Sequence, residues 1–376
     1  MQDDNGQRGS SVRDLGMAAF GLAALFASPA AAQGWETATS GRVVVAVGGA
    51  DVAASARAAG FIDLIWTAES GLQTGLSLGA AVVSDTVDRF QLGPAGPVRA
   101  PITGLGGLAG GGSETKAALV SGFGLVRGGW GEASLGRDQG AAERFSLPLP
   151  SVFAGLSVAD GALDPGGGAA IRLVNAPSGA AAKATVTSVR LLGLTAGVSY
   201  APRQDRDDLS QGLSPGRARL DAIWEAGLSF ARTSREGLKL EAALTHISAD
   251  AAANGPGFGD LRSTGASLRL GQGAWTLGLA GLAANNGRRD DRDYSAIGAS
   301  GAWTFGDWTA MAGAARAADS WTSARQERAM LGISRTVANR AKIGLATTAD
   351  IRYVNAPLGS RRTQAVGLLG EISVAL

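Results

Sequence analysis

Apolar and polar residues alternate along most of this chain, and this two-residue period restricts the fold more than any other feature. From Lys342 to Tyr353, one set of alternate positions is largely apolar and includes Ile343 and Leu345, whereas the other carries Gly, Ala, Thr, Lys, Asp and Arg. The final run, 364–376, repeats the pattern. Side chains that point alternately to opposite faces are typical of a β-strand. The sequence therefore predicts an all-β protein.

The apolar face is continuous and the opposite face is small and charged, which is typical of a barrel with lipid outside and water inside. An Arg or Lys that faces lipid at mid-depth costs about 2–4 kcal/mol, so consistent placement of charges on one face is informative. The predicted outward positions are Leu72, Leu76, Leu78, Ala80, Val82, Ala222, Trp224, Ala226, Leu228 and Phe230. The predicted inward positions include Gln73, Ser77, Glu225, Ser229, Lys239, Glu241, Thr245, Ser267 and Arg269.

The connections between the alternating runs predict sixteen strands. Seven are short turns and eight are longer polar segments, and fifteen connections join sixteen strands of roughly 9–11 residues. One strand is placed at 184–190, with 171–175 as the alternative. The predicted short turns lie at 69–71, 128–131, 191–193, 234–237, 271–273, 306–307 and 337–340. The predicted long connections are 50–59, 85–115, 139–180, 201–219, 249–261, 285–293, 317–327 and 355–363.

Composition excludes several functional classes. The 376 residues contain no Cys and one His, His246, so a disulfide scaffold, a Cys-ligated zinc site and a thiol nucleophile are excluded. A membrane-embedded hydrolase would need a Ser/His/Asp constellation, which a single His makes improbable. The 34 basic and 32 acidic residues are interspersed, which argues against nucleic-acid binding. We predict no catalytic residue, no cofactor and no metal site. A structural or adhesive β protein stays open as a less favoured alternative.

The N-terminus is typical of an export signal. Residues 15–32 are apolar, and Ala30, Ala31 and Ala32 form a small-residue cleavage site before Gln33. This predicts a signal peptide over 1–32 and an exported domain over 33–376. The preceding charges are mixed in sign, which suggests a true start near Val12. The alternative is an N-terminal membrane anchor, which the short apolar length and Pro29 disfavour.

Aromatic residues concentrate at the ends of the predicted strands. Trp130, Trp275 and Trp303 lie at short turns, and Tyr294 and Tyr353 lie at the opposite ends. Amphipathic rings at both edges of an apolar band match the two interfacial girdles of a membrane barrel. The alternative is that they are ordinary strand-end aromatics, which occur in any β protein.

Three segments resemble the Gram-negative general porin family. They are 122–137 (GFGLVRGGWGEASLGR), Leu194–Pro202 and Ala68–Gly79. The resemblance implies a sixteen-stranded transmembrane barrel in the outer membrane, in contact with lipid and lipopolysaccharide and assembled as a homotrimer. It also implies a water-filled channel for passive diffusion of small hydrophilic solutes and ions. A solute-specific channel is the alternative. The chain departs from the family pattern at its end, where Leu376 replaces the usual aromatic residue.

The resemblance further implies that the third long connection, 139–180, folds into the lumen and narrows it. In the family, loop acids oppose a basic wall at this constriction, and rings of one charge sign bias ion selectivity. Arg42, on the polar face opposite Val43 and Val45, is a candidate for the basic wall. The alternative for every candidate is an ordinary solvated charge. The predicted basic side is Arg42, Lys116 and Arg137, and the predicted acidic side is Glu143, Asp160 and Asp164.

Overall fold

A computed structural model of the chain describes residues 34–48, 53–85, 114–163, 165, 171–204, 219–290, 293–320, 323–356 and 359–376. In these residues sixteen β-strands form one closed antiparallel barrel, in which consecutive strands pair and the first strand pairs with the last. The predicted fold class and strand number are confirmed. The strands are β1 (Trp35–Gly48), β2 (Ala53–Thr67), β3 (Gln73–Asp85), β4 (Glu114–Gly128), β5 (Gly131–Asp138), β6 (Ala181–Ser188), β7 (Leu194–Arg203), β8 (Asp221–Thr233), β9 (Lys239–Asp250), β10 (Asp260–Gln272), β11 (Trp275–Ala284), β12 (Tyr294–Phe305), β13 (Trp308–Asp319), β14 (Ala324–Ala338), β15 (Ala341–Ala356) and β16 (Gly359–Ala375).

All seven predicted short turns join the expected strand pairs, but several strands extend beyond their predicted ends. Strand β16 has 17 residues, and β2 begins at Ala53, inside the predicted connection 50–59. The predicted long connections 317–327 and 355–363 are therefore wrong, because β13 to β16 run through most of both. The charged residues in these segments suggested loops. The hydrogen bonds between strands are made by backbone groups, so a strand can continue wherever both faces of the barrel wall can accept a charged side chain.

The predicted facing of the side chains is confirmed. Leu76 is 41% exposed and Trp224 is 59% exposed on the outer surface, whereas the inward Glu225 is 2% exposed. A continuous exposed apolar band is the surface that lipid covers. Strand β6 lies close to the preferred 184–190, and the alternative segment 171–175 belongs to the connection before it.

In the connection between β5 and β6, the described residues 139–163, 165 and 171–180 lie inside the barrel, and together we call them the inner loop. It begins with a short helix, α1 (Ala141–Phe145). Its apolar side chains pack against inward residues of the wall in one buried cluster. The sequence predicts a small and charged inner face, but several wall residues under the loop are apolar because the loop shields them from water. This cluster includes Leu149, Phe153, Leu156 and Val158 of the loop and Val44, Leu282, Met311 and Leu369 of the wall.

In the described part of the chain, no helix is long and apolar enough to cross a membrane. The helices there are α1 and a single 3₁₀ turn at Ala252–Asn254.

Candidate pore constriction

The inner loop follows the wall from β7 round to β1. Helix α1 packs against β7, β8 and β9, and Pro150 lies over Gly278 of β11. Gly155 and Leu163 then reach Val44 of β1. Residues 171–180 lie along the same wall between β12 and β6. The loop therefore takes up part of the lumen and narrows what is left.

The tip of the inner loop is bound by a buried carboxylate of the last strand. Glu371, which is 4% exposed, accepts backbone hydrogen bonds from Ala154 at 2.6 Å and from Gly155 and Leu156 at 2.9 Å each. Three consecutive N–H groups directed at one carboxylate form a concave anion site in the backbone. Hydrogen bonds to a charged acceptor are stronger than neutral ones, so this contact holds the tip against the β16 wall.

A second buried carboxylate holds the start and the end of the loop together. Glu225 of β8 accepts hydrogen bonds from the backbone N–H of Ala142 at 3.0 Å and from the Ser178 hydroxyl. Lys183 Nζ lies 3.4 Å from Glu225 Oε1 and donates to Ser178 Oγ and to the Gly179 carbonyl, each at 2.8 Å. Both ionic side chains are fully buried. Removing one partner of such a pair leaves an uncompensated buried charge, so the three side chains act as one clamp.

Glycines in the wall make room for the rings of the inner loop. A Cβ atom at Gly332 or Gly344 would lie 2.5 Å from the ring of Phe153. At Gly227 it would lie 2.7 Å from the ring of Phe145. Real Cβ atoms do not approach other atoms so closely, so these wall positions require glycine. The space left by these glycines determines where the rings of Phe153 and Phe145, and therefore the inner loop, can lie along the wall.

The middle of the loop and its returning half are held by hydrogen bonds to β9, β10 and β12. Arg269 donates to the carbonyl of Pro148 at 2.7 Å, and Ser300 donates to that of Pro150 at 2.7 Å. On the return, the Tyr294 hydroxyl bonds both backbone groups of Arg172 at 2.8 and 2.9 Å. Loop backbone in a wet lumen needs such partners to keep one conformation.

Three of the inward basic residues in the wall of β1 to β4 lie near the loop tip, whereas a fourth, Arg127, pairs with Glu132 beside a short turn. In the ladder, Val44 pairs with Arg57, Arg57 with Val83, and Val83 with Lys116, so Arg57 and Lys116 share one row across the inner face. Arg42 lies on the same face two residues away and is exposed. Because the loop tip reaches Val44, this basic row borders the tip. The structure thus brings Arg42 and Lys116 together and adds Arg57.

The structure does not bring Arg137 to this wall. It pairs with Gly122 and Ala182 and shares its face of the ladder with Leu135, which is 71% exposed on the outer surface. The strict alternation of β5 puts Ser134 and Gly136 on the inner face, which leaves the next residue outward. This position differs from the expectation based on the Leu-Gly-Arg resemblance.

Two of the predicted acids lie within the inner loop and bond to it. Glu143, in α1, accepts a hydrogen bond from Gln139 at 3.0 Å. Asp160 accepts hydrogen bonds from the backbone of Leu173 at 3.0 Å and Val174 at 3.1 Å. Burial raises the pKa of Asp160, although Arg172 and these N–H groups act in the opposite direction. Asp164 lies outside the described residues. Among the described residues, no three potential ligands group together to hold a metal ion.

The residues that position the inner loop, Glu371 and Glu225, were not predicted to have that role. Each is an acid whose inward neighbours two positions away on its strand are neutral: Ile223 and Gly227 for Glu225, and Leu369 and Ser373 for Glu371. That isolation is a signal, because a charge needs a partner when a loop covers it. Arg57 was missed because it fell in a segment assigned to a connection.

The family model described as Gram-negative porin matches residues 18–355. The chain belongs to the Gram-negative porin family. It accordingly forms a channel in the outer membrane, through which small solutes pass by passive diffusion. The family and the fold are those of channels.

Solved porin structures have the same fold. An anion-selective porin from Comamonas acidovorans superposes with a TM-score of 0.54 at 12% identity, over 91% of this chain and 100% of that one. OprB from Pseudomonas putida gives 0.55 at 12% identity, over 91% and 94%. OmpT from Vibrio cholerae, in a trimer form, gives 0.53 at 12% identity, over 92% and 100%. No curated protein matches the chain by sequence. At these identities the likeness shows the fold alone.

Proposed function

We propose that this porin is a general diffusion channel whose narrowest section lies between the inner loop and the wall of β1 to β4. The observation that carries this proposal is the clamp of the loop tip by Glu371, next to the β1 wall. A loop held there by several charge-assisted bonds keeps a fixed width for the channel. Solutes diffuse through without chemical change, and no cofactor is needed.

The basic row gives this channel a preference for anions. Arg42, Arg57 and Lys116 share one wall, while the described loop acids Glu143 and Asp160 accept hydrogen bonds from the loop itself. A row of charges of one sign attracts ions of the opposite sign and raises their local concentration, and the inward acids Glu36 and Asp63 lie nearer the short-turn end of this wall. In this proposal Arg42 and Lys116 keep their predicted role, and Asp164 stays a predicted acid. Arg137 is left outside the constriction.

Ion selectivity tests this proposal directly. The wild-type protein in a planar bilayer with a salt gradient should give a zero-current potential of the sign that anion preference produces. The Arg42→Gln variant should reduce that potential, because it removes an exposed charge from the wall. Arg335→Gln is the matched control, since Arg335 lies on the outer surface over the Trp308 ring. Equal potentials in wild type and Arg42→Gln, or cation preference in wild type, would contradict the basic wall.

The alternative of a solute-specific channel is separated by uptake kinetics. In vesicles that contain the protein, a general pore should admit neutral sugars at rates that fall smoothly with their size. A specific channel would saturate with one solute and exclude others of equal size. We favour the general pore because the described basic row runs along one wall of an open barrel, whereas a solute site surrounds its ligand with convergent polar groups.

We also propose a homotrimer that contacts membrane lipid and lipopolysaccharide. Support for association comes from the outer face of β2, where Ala56 and Ala58 are buried between the larger Val43, Val45 and Val82 and make a smooth surface. Flat faces of small residues allow close approach of two membrane-embedded surfaces. Native mass spectrometry of the detergent-solubilised protein should give three copies; a monomer at all concentrations would contradict the trimer.

Export by a cleaved signal peptide belongs to the same proposal. Residues 1–32 lie outside the described residues, so its support is the sequence alone: an apolar segment followed by Ala30, Ala31 and Ala32. N-terminal sequencing of the protein from outer membranes should begin at or near Gln33. A mature chain that keeps the apolar segment would support the membrane anchor instead.

A further inference from the structure

A cluster of arginines faces outward near the end of the barrel that carries the long connections. Arg316 of β13, Arg325 of β14 and Arg362 of β16 all lie on outward positions of the ladder and are exposed. Arg325 and Arg362 are the cross-strand neighbours of Tyr353 on its two sides. Their guanidinium carbons lie 5.9 and 5.7 Å from the centre of the Tyr353 ring. We call Arg316, Arg325, Arg362 and Tyr353 the outer belt.

The outer belt carries excess positive charge on a surface that lipid surrounds. Its described acid is Glu327, which pairs with Arg325 and lies opposite Arg316 in the ladder. Three cations and one anion leave a net charge of about +2 in this patch. An arginine facing hydrocarbon is costly, so the belt is stable only where it meets polar and anionic groups. The head groups of the surrounding lipid supply such groups.

Directly beside the outer belt, towards the middle of the membrane, the outer surface has a groove of about 500 Å³. Its rim includes Leu279 and Ile297, which are 53% and 52% exposed, and Ile351. Arg316 and Glu327 close the groove at the belt side. The floor is a row of four cross-strand neighbours, one from each of β12 to β15: Ala299, Ala314, Ala329 and Ala349.

The apolar groove and the cationic belt follow each other along the membrane normal in the same order as the acyl chain and the head group of a membrane lipid. The groove is apolar and lies at the depth of acyl chains, and the belt is cationic and lies at the depth of head groups. Guanidinium groups bind phosphate oxygens with paired N–H donors. A second copy of this chain that packed through the same face is a less suitable occupant, because its own outer-belt arginines would lie against these arginines.

We infer that this face binds a phosphorylated lipid of the external leaflet, with one acyl chain in the groove and its phosphate on the outer belt. The inference rests on the proposed outer-membrane lipid contact and assigns a place and a chemistry to it. The site lies on the outside of the barrel, so a negative result for lipid binding would leave the proposed channel function unaffected.

Lipid retention measured by native mass spectrometry tests this inference. The folded protein is exchanged into a non-ionic detergent and titrated with diphosphoryl lipid A, and in parallel with the same lipid after removal of both phosphates. Wild type should bind the phosphorylated form about tenfold more tightly or better. The variant Arg316→Gln/Arg325→Gln/Arg362→Gln should lose that preference. The variant Ala314→Leu/Ala329→Leu, which fills the groove, should weaken binding of both forms.

The matched control removes three outward arginines elsewhere on the barrel: Arg232→Gln/Arg262→Gln/Arg335→Gln. It loses the same net charge as the outer-belt variant but keeps the outer belt, so it should bind the lipid as wild type does. Heat-dependent migration on gels checks that each variant is folded, and unchanged conductance separates this inference from the proposed pore. Equal binding by the belt variant and wild type, or no preference for phosphate in wild type, would overturn the inference.

A protein occupant is tested separately. The chain has no native cysteine, so Ala314→Cys introduces a single thiol in the groove. Disulfide-linked dimers formed in outer membranes would show a second copy on this face and would overturn the lipid site. A thiol that stays monomeric and reacts with a lipid-soluble reagent supports it.

Discussion

At the residue scale, single methylene-sized gaps decide where the inner loop lies. The ring of Phe153 fits against Gly332 and Gly344, and at either position an added Cβ atom would fall 2.5 Å from it. The ring is also buried in the apolar cluster between loop and wall, so it has no free space to move into. The position of the loop therefore depends on the missing side chains at Gly332 and Gly344 as well as on the apolar contacts that the wall makes.

We expect Gly344→Ala to displace Phe153 and loosen the inner loop at a cost of about 1–3 kcal/mol, the usual range for overpacking. Thermal unfolding in detergent should begin at a lower temperature, and single-channel records should show more frequent current fluctuations. Gly281→Ala is the control, because the nearest atom to its added Cβ would be 3.6 Å away. Identical behaviour of the two variants would contradict the requirement for glycine beneath the Phe153 ring.

Asp160 gives the inner loop a dependence on pH. Burial raises its pKa above the ordinary aspartate value, which means that the folded loop favours the neutral carboxyl. A raised folded pKa contributes stability at low pH that is lost as the pH rises through it. The ionised form therefore destabilises the loop at neutral pH.

We expect Asp160→Asn, which keeps a carbonyl acceptor for Leu173 and Val174, to melt no lower than wild type near pH 7. Its advantage should shrink as the pH falls towards the ordinary aspartate pKa, near pH 4, where wild type becomes neutral as well. Melting curves at both pH values provide the measurement. A variant that is less stable at neutral pH and equal at acid pH would reverse the sign and reject the account.

At the scale of elements, alternation predicts strands well and predicts their ends poorly. The seven short turns could be located because six of them contain glycine and because alternating runs flank all of them. The ends of β13 to β16 could not, since Arg325 and Arg362 suggest a loop when the outer belt is unknown. The facing of Arg137 follows from the alternation of β5, but the local resemblance outweighed it.

The inner loop illustrates a second limit at this scale. Its span was predicted from the residue pattern and its inward fold was implied by resemblance, and its described residues lie inside the barrel. Its path along the wall depends on pairs such as Glu371 with Ala154, which are more than 200 residues apart. No local pattern contains that information, although the isolated inward acid is a usable hint.

We expect Glu371→Gln to weaken the clamp at the loop tip, because an amide offers one acceptor oxygen where three N–H groups need two. Each charge-assisted bond lost costs about 1.5–3 kcal/mol. Open-channel current noise should rise, and the mean conductance should change as the tip moves. Glu236→Gln, on an exposed short turn, is the control. A quiet channel of unchanged conductance would contradict the clamp.

At the scale of the whole molecule, closure follows from simple counts. Sixteen strands in sequence order need one pairing between the first and the last, and Arg42 to Gly48 of β1 pair with Leu369 to Ala375 of β16. Apolar outward positions and charged inward positions then produce an outer surface for lipid and an inner one for water. This much could be predicted, because period-two coding repeats on every strand and errors at single ends do not change the count.

The central claim is a water-filled channel narrowed by the inner loop, and conductance in a planar bilayer tests it most directly. Purified, folded protein should insert in discrete steps, with an ohmic current that grows roughly in proportion to salt concentration, as expected for ions in bulk-like water. Protein that migrates as a folded barrel on gels and inserts without any current steps would contradict the claim.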